Sequence, residues 1–167
     1  PHSSEEDAVQ MQPWVDNMQI TDNCTGNVYH YWFVSHGATG SWIPYGQSNI
    51  GITALRFGDF NGDGKSDAFC ANGSQWKVSY GAINSWEVLN NSALGLNDMA
   101  FGDFDGDGRT DVFKTTGSEW KVSYGGTSSW THLNTSVVTL DHLAFGDFNG
   151  DGITDVMQAT GSLWQVS

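Results

Sequence analysis

The 167 residues hold 19 Asp and Glu against 6 Lys and Arg, a formal charge of −13, and no basic stripe runs through them. That balance argues against a nucleic-acid partner, since phosphate recognition needs clustered cations. The length suffices for one domain with a sizeable core, and no run approaches the about eighteen apolar residues of a membrane span, so no membrane insertion is expected.

Residues 1–27 match no repeat unit, although Trp14 and Val15 suit a degenerate strand or the start of a partial unit. The opening PHSSEED lacks the charged and apolar regions of a signal peptide, so any export signal is expected to have been removed. From residue 28 the chain is periodic. WFVSHGATGSW from Trp32, WKVSYGAINSW from Trp76 and WKVSYGGTSSW from Trp120 stand 44 residues apart, and WQVS at Trp164 begins a fourth copy. The units run over 28–54 (outer strands only), 55–98, 99–142 and 143–167, the last stopping inside its third strand.

Each full unit reads as four short strands. In the first, an apolar strand over Leu55–Phe60 enters an acidic loop and a second over Asp67–Cys70 leaves it. The third carries Trp76, Val78 and Tyr80 in period-two alternation, and the fourth covers Trp86–Leu89. No window shows sustained helical spacing. A period of about 40 to 50 residues holding four antiparallel strands marks a blade of a β-propeller, whose faces must be covered by neighbouring blades. The expected fold class is therefore all-β, with a loop between the first and second strands of each blade.

That loop reads FGDFNGDGKSD from Phe57, FGDFDGDGRTD from Phe101 and FGDFNGDGITD from Phe145. Oxygen-bearing side chains fall at loop positions 1, 3, 5 and 9: Asp59, Asn61, Asp63 and Asp67; Asp103, Asp105, Asp107 and Asp111; Asp147, Asn149, Asp151 and Asp155. Position 7 (Lys65, Arg109, Ile153) varies in chemistry, as expected if only its carbonyl binds. Ca²⁺ takes about six to eight oxygens in a flexible shell, and alternate residues of a curled loop can supply them. Glycine at position 6 (Gly64, Gly108, Gly152) permits the sharp reversal. An EF-hand would need Glu at position 12, where Cys70, Lys114 and Gln158 stand, so that motif is rejected. Asn-Gly and Asp-Gly pairs also form plain turns, but a turn has no use for converging carboxylates that repel one another without a cation. Three Ca²⁺ sites are expected, and filling them would bring the formal charge from −13 to −7.

On these residues the chain resembles the FG-GAP family, also called VCBS-type repeats, the propeller units of integrin α-subunit heads and of many secreted bacterial and fungal proteins. The resemblance covers residues 28–167 and implies Ca²⁺ between the first two strands of a blade, at the positions named above. The WxVSxGG...W portion further resembles secreted propeller lectins. Since three periods are fewer than the four or more blades of a closed propeller, three arrangements stay open: residues 1–27 complete a small ring, copies assemble as a homo-oligomer, ring or filament, or the chain is part of a longer one.

Catalysis finds little support. His2, His30, His36, His132 and His142 share no repeat position and no HExxH spacing, and no GxSxG elbow is present. A non-catalytic secreted binding module is expected. Modest Ca²⁺ sites fill outside the cytosol, and sequons occur at Asn23, Asn72, Asn90 and Asn134. Cys24 and Cys70 either pair or stay free. Trp42, Trp86 and Trp130, near the outer strand and flanked by Ser, Thr and Asn, are candidates for stacking on sugar rings, against the alternative of packing between blades. Trp32, Trp76, Trp120 and Trp164 fit a core-facing role. The partner expected is thus a glycan or an extracellular protein, with a structural or filament-forming role, or an appendage of a secreted hydrolase, as the alternatives.

Overall fold

The computed structural model describes residues 19–21, 28–83, 85–159 and 164–166. Trp14, Val15, Asn23 and Cys24 lie outside them, as does the side chain of Trp164. The chain divides into two compact units, Pro1–Asn49 and Ile50–Ser167.

Among the described residues the sheets are built of antiparallel strands, and short 3-10 turns lead into and out of the last strand of each full meander. The first unit contains one sheet, with β1 (Gln19–Thr21) beside β2 (Val28–Val34) and β2 beside β3 (Ile43–Ser48). β1 is supplied by a segment that matches no repeat. The second unit contains two four-stranded sheets and a third of three strands. One is the meander β4 (Arg56–Gly58), β5 (Asp67–Ala71), β6 (Gln75–Ser79) and β7 (Glu87–Asn91). Its successor is β8 (Ala100–Gly102), β9 (Asp111–Thr115), β10 (Trp120–Ser123) and β11 (Thr131–Asn134). The third sheet holds β12 (Leu143–Gly146), β13 (Asp155–Ala159) and β14 (Trp164–Val166).

Two predicted strands end earlier than their apolar pattern. β4 stops at Gly58, because the Asp59 carboxylate turns back to accept hydrogen bonds from the loop. Tyr80 continues the alternation but opens a 3-10 turn, where the Gly81 N–H donates to Asp67 Oδ1 over 2.7 Å and Gly81 takes a φ of 61°. The register of the third strand against the fourth slips at one repeat position, between Trp32 and Phe33, Trp76 and Lys77, and Trp120 and Lys121. Such a bulge adds twist locally.

The core of the second unit lies between successive sheets. Phe60, Phe69, Trp76 and Val78 meet Met99, Val112 and Phe101. One repeat later Phe104, Phe113, Trp120 and Val122 meet Val156, Leu143 and Phe145. The rings repeat the same triad: Phe60 stacks on Phe69 at 5.2 Å and Phe101 comes edge-on at 5.1 Å, then Phe104 stacks on Phe113 at 5.3 Å and Phe145 comes edge-on at 5.0 Å. The two phenylalanines of FGDF therefore divide their work. Phe60 and Phe104 pack inside their own sheets, and Phe101 and Phe145 cover the sheet before theirs. Each buried ring contributes about 1.5–3 kcal/mol, and aromatic pairing adds to it.

Candidate metal centre

Each acidic loop is wound around its first aspartate. Asp59 Oδ1 accepts the N–H of Gly62 over 2.7 Å while Oδ2 accepts that of Gly64 over 2.7 Å. Asp103 does the same with Gly106 and Gly108, at 2.7 and 2.8 Å, and Asp147 with Gly150 and Gly152, at 2.6 and 2.9 Å. Both glycines of every copy have positive φ, from 77° at Gly62 to 87° at Gly152. The reversal assigned by spacing to position 6 is thus shared with position 4.

The last aspartate of each loop is held from the other side. Asp67 and Asp111 have no exposed surface. Asp111 Oδ2 accepts the Phe104 N–H over 2.8 Å and Oδ1 the Gly125 N–H over 2.7 Å, and Asp67 repeats this with Phe60 and Gly81. In the third loop Asp155 accepts from Phe148 over 2.9 Å. In loops one and two position 9 therefore ties the loop's start and the turn after the third strand to the head of the second strand.

Asp103, Asp105 and Asp111 each bring one carboxylate oxygen within 4.8 Å of the others. Burial pushes the Asp111 carboxyl up to about 6, against the pull of the Gly125 and Phe104 N–H groups, and the charges of Asp105 and Asp103 raise it further. An all-oxygen set of like charges, one of them desolvated, suits a hard cation, so these residues fit Ca²⁺. Loops one and three keep the same hydrogen-bond frame, with Asn61 and Asn149 in place of Asp105; Asn61 Oδ1 accepts the Asp63 N–H over 2.9 Å and Asn149 Oδ1 the Asp151 N–H over 2.8 Å.

Each position-5 carboxylate accepts the N–H of position 7. Asp107 accepts from the Arg109 side chain, Nε to Oδ2 at 2.8 Å, and this hydrogen bond holds its carboxyl below the usual carboxylate range. Asp63 has Lys65 Nζ at 3.9 Å, while Ile153 offers no side-chain cation to Asp151. Position 7 can thus compete for the carboxylate two residues before it.

Spacing alone did not reveal that the loops touch. The Thr110 N–H donates to the Asp59 carbonyl, and the Thr154 N–H to the Asp103 carbonyl. A Cβ on Gly58 would lie 2.5 Å from Thr110 Oγ1, and one on Gly102 would lie 2.6 Å from Thr154 Oγ1. The recurring Phe-Gly-Asp and the Thr before the last aspartate were the visible signals.

The outer tryptophans are not equivalent. Trp42 is 69 % exposed and Trp86 half-buried. Trp130 stands edge-on to Trp76 at 5.8 Å, with Lys114 Nζ 4.0 Å from its ring centre. The inner pair is buried: Trp76 Nε1 donates to the Leu94 carbonyl over 3.1 Å and Trp120 Nε1 to that of Val138 over 3.0 Å. Exposed His142 lies 3.1 Å from Asp141, and His132 Nε2 lies 3.3 Å from Thr135 Oγ1. Cys70 is a buried thiol.

Residues 59–114, from the first aspartate of one loop through the whole of the next and into β9, match the family model of the FG-GAP-like repeat. The chain carries an FG-GAP-type repeat. No curated protein and no solved structure is significantly similar to it. The FG-GAP match brackets two of the acidic loops and the strands β5 to β8 between them.

Proposed function

We propose that this chain is a non-catalytic, secreted module of β-propeller blades in which Ca²⁺ bound at three loops holds the sheets in shape for adhesion to an extracellular partner. The observation that carries the reading is the convergence of Asp103, Asp105 and Asp111 in a loop that recurs at a fixed interval. FG-GAP-type repeats commonly bind Ca²⁺ and are typically extracellular, which supports both the ion and the location. Asp103, Asp105 and Asp111 with the carbonyl of Arg109 would hold the ion, and their counterparts would do so in the other loops. When bound, the cation supplies charge neutralisation. Asp107 would join them on leaving Arg109. Isothermal titration with CaCl₂ tests the proposal: binding with a stoichiometry near three is expected, and no heat above dilution in the calcium-free chain would refute it.

Trp42 favours a second, narrower reading, glycan binding. Its ring is 69 % exposed, and an exposed aromatic face is of the kind that stacks on the apolar face of a sugar. The packing of Trp130 against Trp76 makes such contacts unequal along the chain. A glycan array with wild type and Trp42→Ala separates the readings: glycan binding lost in the variant supports a lectin, and adhesion to protein alone supports the integrin-like role.

A further inference from the structure

We infer that the acidic loops of the second unit form one coupled ladder, in which cation binding by a loop strengthens binding by the loop before it, with Gly58, Gly102, Thr110 and Thr154 as the positioning residues. This rests on the Ca²⁺ reading of the loops.

The coupling runs through two peptide groups. The N–H of Thr110 belongs to the same peptide as the carbonyl of Arg109, the position-7 ligand expected in loop two. The described residues have no cis bond, so the carbonyl and the N–H point in opposite directions. That N–H donates to the carbonyl of Asp59, the first ligand residue of loop one. The Ile153–Thr154 peptide repeats the arrangement onto Asp103. A second bond locks the later junction, where the Asp103 N–H donates to Thr154 Oγ1 over 2.9 Å. Drawing electron density from the position-7 carbonyl makes the N–H of its peptide a better donor, and linked hydrogen bonds strengthen one another in this way. The receiving carbonyl is fixed in turn, and with it the Asp59 or Asp103 side chain on which the preceding loop is wound.

Side chains keep the junction closed. Arg109 Cγ lies 3.1 Å from the Cβ position of Gly62, and Ile153 Cγ1 lies 3.1 Å from that of Gly106. Position 7 therefore rests on the position-4 glycine of the preceding loop whatever its chemistry. Arg109 and Ile153 thus share one packing role there. Gly58 and Gly102 leave room for the threonines and have ordinary φ, so their role is close approach and not a special backbone.

The test is a calcium titration of the full chain followed calorimetrically, on wild type, on Gly102→Ala and on Thr154→Ala, each with and without Asp147→Ala to disable loop three. None of the positioning residues is an expected ligand. In wild type, disabling loop three should weaken the affinity of loop two by about fivefold or more, the lower range of measured site-to-site couplings. In Gly102→Ala the same lesion should weaken it by less than about twofold, and Thr154→Ala should fall between. If Gly102→Ala fails to fold, Thr154→Ala alone carries the comparison through its smaller effect. Three calcium ions bound with no change at loop two when loop three is disabled would overturn the coupling and leave the metal reading standing. No calcium bound by wild type would overturn both.

Discussion

Replacing Asp111 separates two duties performed by one carboxylate. Its side chain is wholly buried and accepts the N–H groups of Phe104 and Gly125. Alanine removes both acceptors and leaves two buried donors without partners, each costing about 1–3 kcal/mol, so Asp111→Ala should lose about 2–6 kcal/mol even in EDTA. Against a total stability of about 5–15 kcal/mol, that is a large share. In excess Ca²⁺ a site at a hundred times its Kd contributes about 2.7 kcal/mol, so the variant should fall further behind wild type there, by about that amount. Urea titrations followed by tryptophan fluorescence, in EDTA and in millimolar Ca²⁺, measure both numbers. Asp107→Asn is the control, because Asp107 faces Arg109 at the surface and should leave the EDTA midpoint unchanged. An Asp111→Ala loss below about 0.5 kcal/mol in EDTA would refute the latch, since that is the range of neutral surface changes. Equal losses in the two solutions would refute the ligand role.

Chelation of wild type should lower the melting temperature by about 5–30 °C, from one to three such sites; superimposable melting curves in EDTA and in Ca²⁺ would count against the staple. Trp76→Ala should destabilise by about 3–5 kcal/mol as a fully buried aromatic, whereas Trp42→Ala should stay within about 0.5 kcal/mol, and denaturant midpoints that reverse the order would contradict the burial assigned to each. Burial raises the pKa of the Cys70 thiol despite the opposing charge of Lys77, so a disulfide reagent should label it slowly in the native protein and rapidly in urea; fast native labelling would show that β5 is open.

Strands and loops were legible because each repeat states them again: the aspartates mark the start and end of a loop, and Trp76 and Val78 alternate toward the core as their spacing implies. What local pattern could not show was which groups compete for the backbone. Asp59 ends β4 by capturing loop N–H groups, and Asp67 ends β6 by capturing that of Gly81, although Phe60 and Tyr80 extend both apolar patterns. Identical letters also hid different surroundings. Trp42, Trp86 and Trp130 occupy one repeat position, yet only a structure tells that Trp130 has Trp76 on one side and Lys114 on another while Trp42 faces solvent. The same holds for FGDF: Phe101 and Phe145 cover the preceding sheet, whereas Phe57 is exposed.

In loops one and two the two ends are held by different means, and this decides what a cation can change. Position 9 is tied into the sheet by buried backbone donors at Asp67 and Asp111, so that end is in place before any ion arrives. Positions 3 and 5 are exposed, and at Asp107 a guanidinium already occupies the carboxylate. On the proposed calcium reading, binding would reorganise the outer half of the loop against a fixed inner half, which lowers the ordering cost that a wholly flexible loop would carry. Loop three should then gain most per ion, since Ile153 presents no charge for the ion to displace, and loop two should show the greatest salt dependence through Arg109. Arg109→Ile, which copies position 7 of loop three into loop two, should raise the calcium affinity of loop two and flatten its dependence on NaCl; an affinity unchanged or lowered at every salt concentration would show that Arg109 and the ion do not compete.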